Sequence, residues 1–247
     1  MKTILITGAS SGIGKACAEK LATGNHMILC SRNLNALKSI VINSTYSPRL
    51  FEVDVQNSNE VELMFSTLAT EGLFPDVVIN SAGLAIGLDK IDESAINEWD
   101  QMIDTNIKGL LFVSKFALKH MKEKDVGHII NIGSIAGIES YPKGVVYAAT
   151  KSAVKSISDG LRKEVVEHNI KITNIQPGLV ETNFSNIRFG GDENKAKAVY
   201  HGIKPLSAED VAGAIAYVVN TPQHVQINEI TLTPTHQASV GVVYKNL

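Results

Sequence analysis

Short apolar runs rich in β-branched residues alternate along this chain with longer segments whose apolar positions recur at helical spacing. The apolar runs predict strands, and these are TILIT, HMILC, RLFEVDV, DVVIN, GHIINIG, KITNIQPG and EITLT. The periodic segments predict helices near 12–23, 33–43, 58–71, 92–122, 145–168 and 207–219. Repeated strand–helix units favour a parallel sheet that is covered by helices on both faces. The pattern therefore predicts a doubly wound α/β fold with a parallel sheet of about seven strands.

One segment, 179–205, interrupts this alternation because it is polar and shows neither the spacing of a helix nor the apolar run of a strand. It is long for a connection inside a compact domain, and such loops are usually functional. We therefore expect residues 179–205 to form a substrate loop or lid within one domain that spans 1–247.

The composition excludes several classes of protein. The 247 residues carry a net charge of −2 and no basic run, so nothing favours a nucleic-acid partner. No run approaches the roughly 18 apolar residues of a membrane span, and the first ten residues lack the apolar core of a signal peptide. The two cysteines and seven histidines form no CxxC, HxxxH or HExxH spacing, so neither disulfides nor a metal site is expected. These observations favour a cytoplasmic protein without a membrane partner.

A glycine-rich turn, TGASSGIG at 7–14, follows the first predicted strand and opens the first predicted helix. Gly8, Gly12 and Gly14 leave the backbone bare where a helix N-terminus offers free N–H groups and the positive end of its dipole. A pyrophosphate can approach such a turn, and Ser10 and Ser11 could donate further hydrogen bonds to it. The turn is not a P-loop, because the G-K-[ST] ending is missing. The alternative is a turn without a ligand, but a position within a βαβ unit favours a dinucleotide.

The residues after the second predicted strand bear on which dinucleotide is bound. A carboxylate at this point binds the ribose 2′-OH of NAD, but LCSRN has Ser31 and then Arg32. Without the carboxylate a 2′-phosphate is not repelled, and a guanidinium suits a phosphate. Arg32 therefore favours NADP over NAD, unless it is a solvated residue at the start of a helix.

Tyr147 and Lys151, in YAATK, are four residues apart and share one face of a predicted helix. A tyrosine acts as a base only when its pKa falls from about 10, and a nearby ammonium stabilises the phenolate. Ser134 follows the fifth predicted strand, where its hydroxyl could hold a substrate oxygen beside the tyrosine. The alternatives are an ordinary surface pair for Tyr147 and Lys151 and a turn residue for Ser134.

Together these motifs resemble the short-chain dehydrogenase/reductase family, and the resemblance runs nearly end to end. The motifs in chain order are TGASSGIG at 7–14, Asp54-Val55, NSAG at 80–83, Asn106 in DTNIKG, Ser134, YxxxK at 147–151 and Pro177-Gly178. The family is a single Rossmann-type domain that transfers hydride between a nicotinamide and a carbinol carbon. The chain departs from the family at Ser81, where a second asparagine is usual and where serine retains the backbone contacts.

The resemblance implies a role for each matching residue. Tyr147 would be the general acid/base, and Ser134 would position the substrate. Lys151 would bind the nicotinamide ribose and lower the pKa of the tyrosine, and Asn106 would hold a proton-relay water. The implied cofactor-binding residues are Gly8, Ser10, Ser11, Gly12, Ile13, Gly14, Arg32, Asn33, Asp54, Val55, Asn80, Ala82, Gly83, Tyr147, Lys151, Pro177, Gly178, Val180 and Thr182. Among them, residues 54–55 would contact the adenine and residues 177–182 would cover the nicotinamide.

A narrower resemblance concerns the substrate. Segments 83–87, 102–110 and 177–192 and the tail VQINEITLTPTHQASVG resemble one branch, the NADP-dependent 3-hydroxy acid dehydrogenases that include serine 3-dehydrogenases. These enzymes oxidise serine, allo-threonine and related 3-hydroxy acids, or reduce the semialdehydes. A guanidinium on a covering loop would suit the substrate carboxylate, and Arg188 is such a residue. Alternatively, Arg188 pairs with Asp192 or Glu193, or lies at a subunit contact.

The sequence thus predicts an NADP-dependent dehydrogenase of a small 3-hydroxy acid, with Ser134, Tyr147 and Arg188 as substrate-binding residues. Two alternatives stay open. A carbonyl reductase for uncharged ketones, aldehydes or pterins would share the catalytic residues and differ in the substrate loop. A regulator that senses NADP without turnover would not need Tyr147 and Lys151. The family resemblance also implies a homotetramer.

Overall fold

The protein alternates strands and helices in the order that the sequence predicts. The structure, a computed structural model, describes residues 1–40 and 44–246. The strands in these ranges are β1 (Thr3–Thr7), β2 (His26–Ser31), β3 (Arg49–Glu52), β4 (Val77–Asn80), β5 (Gly127–Ile132), β6 (Ile170–Pro177), β7 (Val180–Glu181), β8 (Leu206–Ser207) and β9 (Glu229–Leu232). The helices are α1 (Gly12–Leu21), α2 (Leu34–Lys38), α3 (Ser58–Thr70), α4 (Ile96–Ile103), α5 (Leu110–Lys124), α6 (Val145–Glu164), α7 (Phe184–Arg188), α8 (Glu193–Ala198) and α9 (Ala208–Val219).

Seven of the strands in the described ranges form one sheet, in the order β3-β2-β1-β4-β5-β6-β9. Every neighbouring pair in this sheet is parallel. Because β1 lies between β2 and β4, the strand order reverses there, and the carboxyl ends of β1 and β4 border a crevice. This arrangement confirms the predicted doubly wound α/β fold of the Rossmann type.

The hydrophobic core has two halves because both faces of the sheet are covered. Successive side chains of a strand point to opposite faces. Ile4 and Ile6 of β1 therefore pack in one half with α1 and α9, while Leu5 packs in the other with α3 and α5. Burial on both faces explains why the strands are continuous apolar runs in the sequence.

The segment 179–205, which we expected to be irregular, contains regular structure. β7 pairs in parallel with β8 in a separate two-stranded sheet, and α7 and α8 lie between them in the chain. Elements of two to six residues are too short to show a period, so the sequence pattern did not predict them. The helix predicted near 33–43 ends at Lys38, and positions 41–43 of that prediction lie outside the described residues.

The long helix predicted near 92–122 is interrupted. α4 passes into a π-helical turn, Asp104–Gly109, before α5 continues to Lys124. Single π-helical turns inside α-helices occur frequently at functional sites. This turn contains Asn106, one of the residues that the family resemblance implicates, and buries it.

Residues 1–40 and 44–246 carry neither a membrane-spanning helix nor a cluster of metal-binding side chains. No helix in these ranges combines the length and the apolar character that crossing a bilayer requires. Nor do the same ranges hold a group of three or more His, Cys, Asp or Glu side chains placed to bind a metal ion. Cys17 and Cys30 are buried, and burial raises the pKa of each thiol to about 12. Both thiols therefore stay protonated and act as core residues.

His128, near the amino end of β5, is buried, and its pKa lies far below the usual value for histidine. Its Nε2 donates to Thr173 Oγ1 at 2.9 Å, because the Thr173 hydroxyl itself donates to Ile227 O. Burial, followed by the ammonium groups of Lys171 and Lys2, lowers the pKa of His128 to about 3. The imidazole is therefore neutral in the folded protein over most of the acid range.

We expect His128 to make the protein less stable below pH 6.5. The unfolded chain binds this proton near pH 6.5 and the folded chain only near pH 3, so stability is complete above pH 6.5 and lost progressively below it. At pH 4.5 the loss from this group is about 3 kcal/mol of unfolding free energy. Urea unfolding at pH 7.5 and 4.5 measures it in wild type, His128→Gln and, as the matched control at an exposed position, His224→Gln. An equal pH loss in wild type and His128→Gln would contradict the prediction.

Candidate active site

A cavity of about 520 Å³ lies at the carboxyl ends of the strands, where the strand order reverses between β1 and β4. Its walls are the turns after β1, β2, β3, β4, β5 and β6 and part of segment 179–205. Every residue predicted for the site lines this cavity apart from Gly14, Asn80 and Asn106. Residues as far apart in the chain as Gly8 and Arg188 thus border one space.

The turn after β1 needs its glycines for conformation and for close contacts. Gly8 and Gly12 have φ angles of +62° and +51°, in the left-handed region that favours glycine. A Cβ on Gly8 would lie 2.8 Å from Ala82 Cα, and one on Gly14 would lie 2.4 Å from the carbonyl oxygen of Gly8. Gly14 packs α1 closely against the turn and does not line the cavity.

The N-terminus of α1 borders the cavity with unused polar groups. Ser11 is the N-cap residue and has an extended backbone. Within the described chain, its hydroxyl makes no capping bond and the first turn of α1 carries no acidic side chain. Free N–H groups, an available hydroxyl and the positive end of the helix dipole all suit the phosphates of a dinucleotide.

The turn after β2 brings Arg32 and Asn33 to the cavity, and both residues are exposed. Ser31 is buried and fixes the turn, because its hydroxyl donates to the Asn33 carbonyl at 3.1 Å. The Asn33 side chain caps α2 by accepting a hydrogen bond from Ala36 N at 2.9 Å. Asn33 is thus committed to α2, and Arg32 supplies the charge that a phosphate would need.

Asp54 and Val55 line the cavity after β3. The Asp54 carboxylate accepts a hydrogen bond from Gln56 N at 3.0 Å, and Asp54 N donates to the Glu60 carboxylate at 2.8 Å. Val55 packs so closely on the π-helical turn that a Cβ on Gly109 would lie 2.7 Å from Val55 Cγ2. The π-helical turn therefore supports this wall of the cavity.

Thr7 holds the loop after β4, although the sequence did not single it out as a site residue. Its Oγ1 accepts hydrogen bonds from the N–H groups of Ser81 and Ala82, each at 3.1 Å. Thr7 opens the glycine-rich motif TGASSGIG, and on that ground it could have been predicted as a site residue. Asn80, by contrast, lies inside the sheet, where its buried amide donates to Asn131 at 2.9 Å and joins β4 to β5.

Asn106 supports the site from behind this loop. Its Oδ1 accepts a hydrogen bond from Leu84 N at 2.9 Å, and its Nδ2 donates to Leu84 O at 2.8 Å and to Thr150 Oγ1 at 3.0 Å. Both amide hydrogens are therefore committed to the protein. A Cβ on Gly83 would lie 3.3 Å from Asn106 Oδ1 and 3.5 Å from Lys151 Nζ, so Asn106 and Lys151 meet at Gly83.

Ser134, Tyr147 and Lys151 come together between β5 and α6. The Ser134 hydroxyl donates a hydrogen bond to Pro177 O at 3.4 Å and accepts one from Ala136 N at 3.0 Å, and it lies close enough to the Tyr147 phenol to lower the pKa of that group. Lys151 is buried, and its Nζ donates to Ile132 O at 2.8 Å. The same Nζ lies 5.8 Å from the ring centre of Tyr147. The three residue types that the sequence suggested as a catalytic group are thus neighbours.

Burial shifts the pKa of both titratable groups in this trio. Burial of the Lys151 ammonium lowers its pKa to about 8. Burial around the phenol raises the pKa of Tyr147, and so does Tyr141, while the hydrogen bond to Ser134 and the charge of Arg188 lower it. Arg188 is thus a cation that favours the phenolate in this structure, a role that the family resemblance implies for Lys151.

Arg188, the last residue of α7, is held in the cavity wall. Its Nε donates to Gly87 O at 3.0 Å, and Gly87 N donates to Arg188 O at 2.9 Å. The guanidinium carbon lies 5.8 Å from the ring centre of Tyr147 and 5.6 Å from that of Tyr141. Within the described chain, Nε is the guanidinium atom that bonds a protein group, which leaves the two terminal nitrogens for a ligand.

The carboxylates that the sequence offered as partners of Arg188 are engaged elsewhere. Asp192 caps α8 and pairs with Lys195 at 3.4 Å. Glu193 pairs with Lys197 at 3.0 Å. In the part of the chain that the structure describes, Arg188 therefore pairs with neither carboxylate, and that alternative is wrong.

Several residues line the cavity without any motif to announce them: Tyr141, Phe184, Tyr200, Gln237 and Val240. The ring centres of Phe184 and Tyr147 are 5.8 Å apart, so Phe184 forms one side of the space around the phenol. Tyr141 precedes α6, Phe184 and Tyr200 belong to the substrate loop, and Gln237 and Val240 belong to the C-terminal segment. They meet only when the whole chain has folded.

The fold and the site define the class of protein. A model of the short chain dehydrogenase family matches residues 2–190, and the chain belongs to that family. The chain is similar to the NADP-dependent 3-hydroxy acid dehydrogenase of Schizosaccharomyces pombe, at 39% identity over 250 residues that cover 99% of this chain and 96% of the relative. It is 36% identical over 244 residues to the enzyme of that name from Escherichia coli (strain K12), and the match covers 97% of each protein.

A solved structure is similar over the whole domain. The closed form of serine dehydrogenase complexed with NADP+ has a TM-score of 0.93 and 36% identity, covering 99% of this chain and 100% of that chain. These similarities confirm the predicted family and its likeness to the 3-hydroxy acid branch. They also confirm that the chain is an oxidoreductase.

Proposed function

We propose that this protein is an NADP-dependent oxidoreductase that interconverts a small 3-hydroxy acid, such as serine or allo-threonine, and its 3-oxo acid or semialdehyde. The names of its relatives support this substrate class. The observation that carries the proposal is the place of Arg188, whose guanidinium carbon lies 5.8 Å from the ring centre of Tyr147.

The cofactor is NADP, as it is for the named relatives. Gly8, Ser11 and Gly12 would hold the pyrophosphate at α1, and Arg32 would hold the 2′-phosphate. The close packing of Gly8 on Ala82 supports this fit, because it leaves bare backbone where the phosphates approach. When bound, the nicotinamide accepts or supplies the hydride.

Tyr147 would move the proton of the substrate oxygen. In oxidation its phenolate takes the hydroxyl proton, and in reduction its hydroxyl returns one. Ser134 would stabilise the charge that develops on the same oxygen, since its hydroxyl lies beside the phenol. Lys151 would hold the cofactor ribose from its buried position. Asn106 would serve the proton relay through a water, for which its Oδ1 keeps one lone pair.

A carboxylate suits the surroundings of Arg188. The two terminal nitrogens of a guanidinium match the two oxygens of a carboxylate in a bidentate pair. In a 3-hydroxy acid the reacting carbon is two bonds from the carboxylate carbon. A substrate held at Arg188 would therefore bring its hydroxyl close to Tyr147 and Ser134.

The test is the initial rate of NADP reduction with L-serine, L-allo-threonine, 3-hydroxypropionate and uncharged secondary alcohols, each repeated with NAD. We expect turnover of the acids and a preference for NADP. Turnover of the uncharged alcohols alone would favour the carbonyl reductase and return Arg188 to a structural role. Tight NADPH binding without turnover of any alcohol, ketone or aldehyde would favour a regulator that senses NADP.

We also propose that the protein is a cytoplasmic homotetramer. Apolar side chains on α4, α5 and α6 support a subunit interface, since Ile96, Leu111 and Val145 are 66%, 39% and 50% exposed. Sedimentation equilibrium should give the mass of four chains, and the mass of one chain would contradict the proposal. The low cysteine content suits a reducing compartment, and cell fractionation tests that location.

A further inference from the structure

The C-terminal hairpin, residues 236–244, forms part of the cavity wall. Gln237 and Val243 make an antiparallel bridge within it, and Asn246, just beyond it, donates a backbone hydrogen bond to Gly202 O at 2.8 Å. Gln237 lines the cavity. The hairpin lies beyond residues 2–190, the part of the chain that the family model matches.

Gln237 reaches from the hairpin to the backbone that follows β6. Its side chain is 4% exposed, and its Oε1 accepts a hydrogen bond from Leu179 N at 2.8 Å. The carbonyl of Leu179 accepts a hydrogen bond from Leu206 N at 2.9 Å, so both polar groups of this residue's backbone are used. Val180, the next residue, begins β7 and lines the cavity. The segment 177–182 lines the cavity and is called here the 177–182 wall. Gln237 thus fixes the start of the 177–182 wall.

Gly178 makes room for this contact. A Cβ on Gly178 would lie 2.4 Å from Gln237 Oε1, closer than two such atoms can approach. Among the described glycines, Gly178 is not one of those with a positive φ, so backbone conformation does not require glycine there. The close approach of the Gln237 amide therefore accounts for the glycine of the Pro177-Gly178 pair.

We propose that Gln237 is a positioning residue that holds the 177–182 wall against the nicotinamide half of the bound cofactor. The inference rests on the proposed function in that the cofactor is NADP. Gln237 accepts a hydrogen bond from the backbone of Leu179, so it determines the position of this wall. Without this bond the wall loosens and water reaches the nicotinamide. The adenosine half of the cofactor, at the far end beside Arg32, is unaffected.

The first test compares two variants and two ligands. Gln237→Met keeps the length of the side chain and removes the acceptor, whereas Gln237→Glu keeps an acceptor oxygen. We expect Gln237→Met to raise the Kd of NADPH about tenfold and to lower the fluorescence enhancement of bound NADPH. The Kd of 2′,5′-ADP, which has no nicotinamide, should stay within about twofold. Gln237→Glu should restore the Kd of NADPH to within about threefold of wild type.

Three results would overturn the inference. They are an unchanged Kd of NADPH in Gln237→Met, an equal loss of affinity for NADPH and 2′,5′-ADP, and a Gln237→Glu variant as impaired as Gln237→Met. The equal loss would mean that the side chain serves general stability alone. A wild-type protein that binds neither ligand would instead overturn the proposed NADP cofactor itself, so the two failures can be told apart.

A double-mutant cycle tests the same contact from the other side. Gly178→Ala should raise the Kd of NADPH about tenfold in the wild-type background, because the new methyl group displaces the amide. In the Gln237→Ala background the same change should cost no more than about twofold, since the clash with the amide is gone and the next atom, Thr233 Cγ2, would lie 3.1 Å away at the end of a side chain that can shift. Independent, additive effects would overturn the inference, and this arm stands even if Gln237→Met does not fold.

Discussion

Tyr147→Phe is expected to lower kcat for alcohol oxidation by about a thousandfold while leaving the Kd of NADPH within about twofold. The substitution removes one oxygen, which is the proposed proton carrier. It keeps the ring, which lies 5.8 Å from the ring centre of Phe184 and 5.8 Å from the guanidinium carbon of Arg188. The shape of the cavity should therefore persist, and only proton transfer should be lost. Steady-state kinetics and NADPH fluorescence titration measure the two quantities.

The matched control is Tyr217→Phe on α9, where the side chain is 65% exposed and outside the cavity. It makes the same chemical change and should leave kcat unaltered. In wild type the oxidation rate should rise with pH as the Tyr147 phenol ionises, because the phenolate is the base, and Tyr147→Phe should lose that rise. A Tyr147→Phe protein that retains more than a tenth of kcat would show that another group carries the proton.

Site residues close together in the sequence could be predicted, because a strand–turn–helix unit places them without the rest of the fold. Gly8 and Gly12 needed only the end of β1 and the start of α1. Tyr147 and Lys151 needed only the spacing of one turn in α6. Membership in a motif did not tell whether a side chain faces the cavity. Asn80 belongs to NSAG, and yet its amide lies inside the sheet.

Residues that reach the site across long stretches of chain could not be predicted in this way. The bond between Gln237 and Leu179 joins positions 58 residues apart, and the bond between Arg188 and Gly87 joins positions 101 residues apart. Each contact depends on how the substrate loop and the C-terminal segment pack on the finished sheet. No local period or motif contains that information, so the sequence named Arg188 without its backbone partner and did not name Gln237.

Arg188→Gln is expected to lower kcat/KM for a 3-hydroxy acid about a hundredfold more than for an uncharged secondary alcohol. Hydrogen bonds to charged groups contribute about 1.5–3 kcal/mol, and 1.4 kcal/mol corresponds to about tenfold. Glutamine keeps an N–H donor that can reach toward Gly87 O but removes the charge and the bidentate fork. Arg188→Lys keeps the charge without the fork, so its effect should be intermediate.

The ratio of the two kcat/KM values is the decisive quantity, because Arg188 acts on Tyr147 as well. Its charge lowers the pKa of the phenol, so its loss should slow oxidation of the acid and of the alcohol alike. That common effect cancels in the ratio, which isolates the contact with the carboxylate. Arg49→Gln, at a surface pair with Glu71, removes the same charge away from the site and should leave the ratio unchanged. If Arg188→Gln also leaves it unchanged, the guanidinium serves Tyr147 and the cavity wall alone, and a substrate without a carboxylate becomes the better proposal.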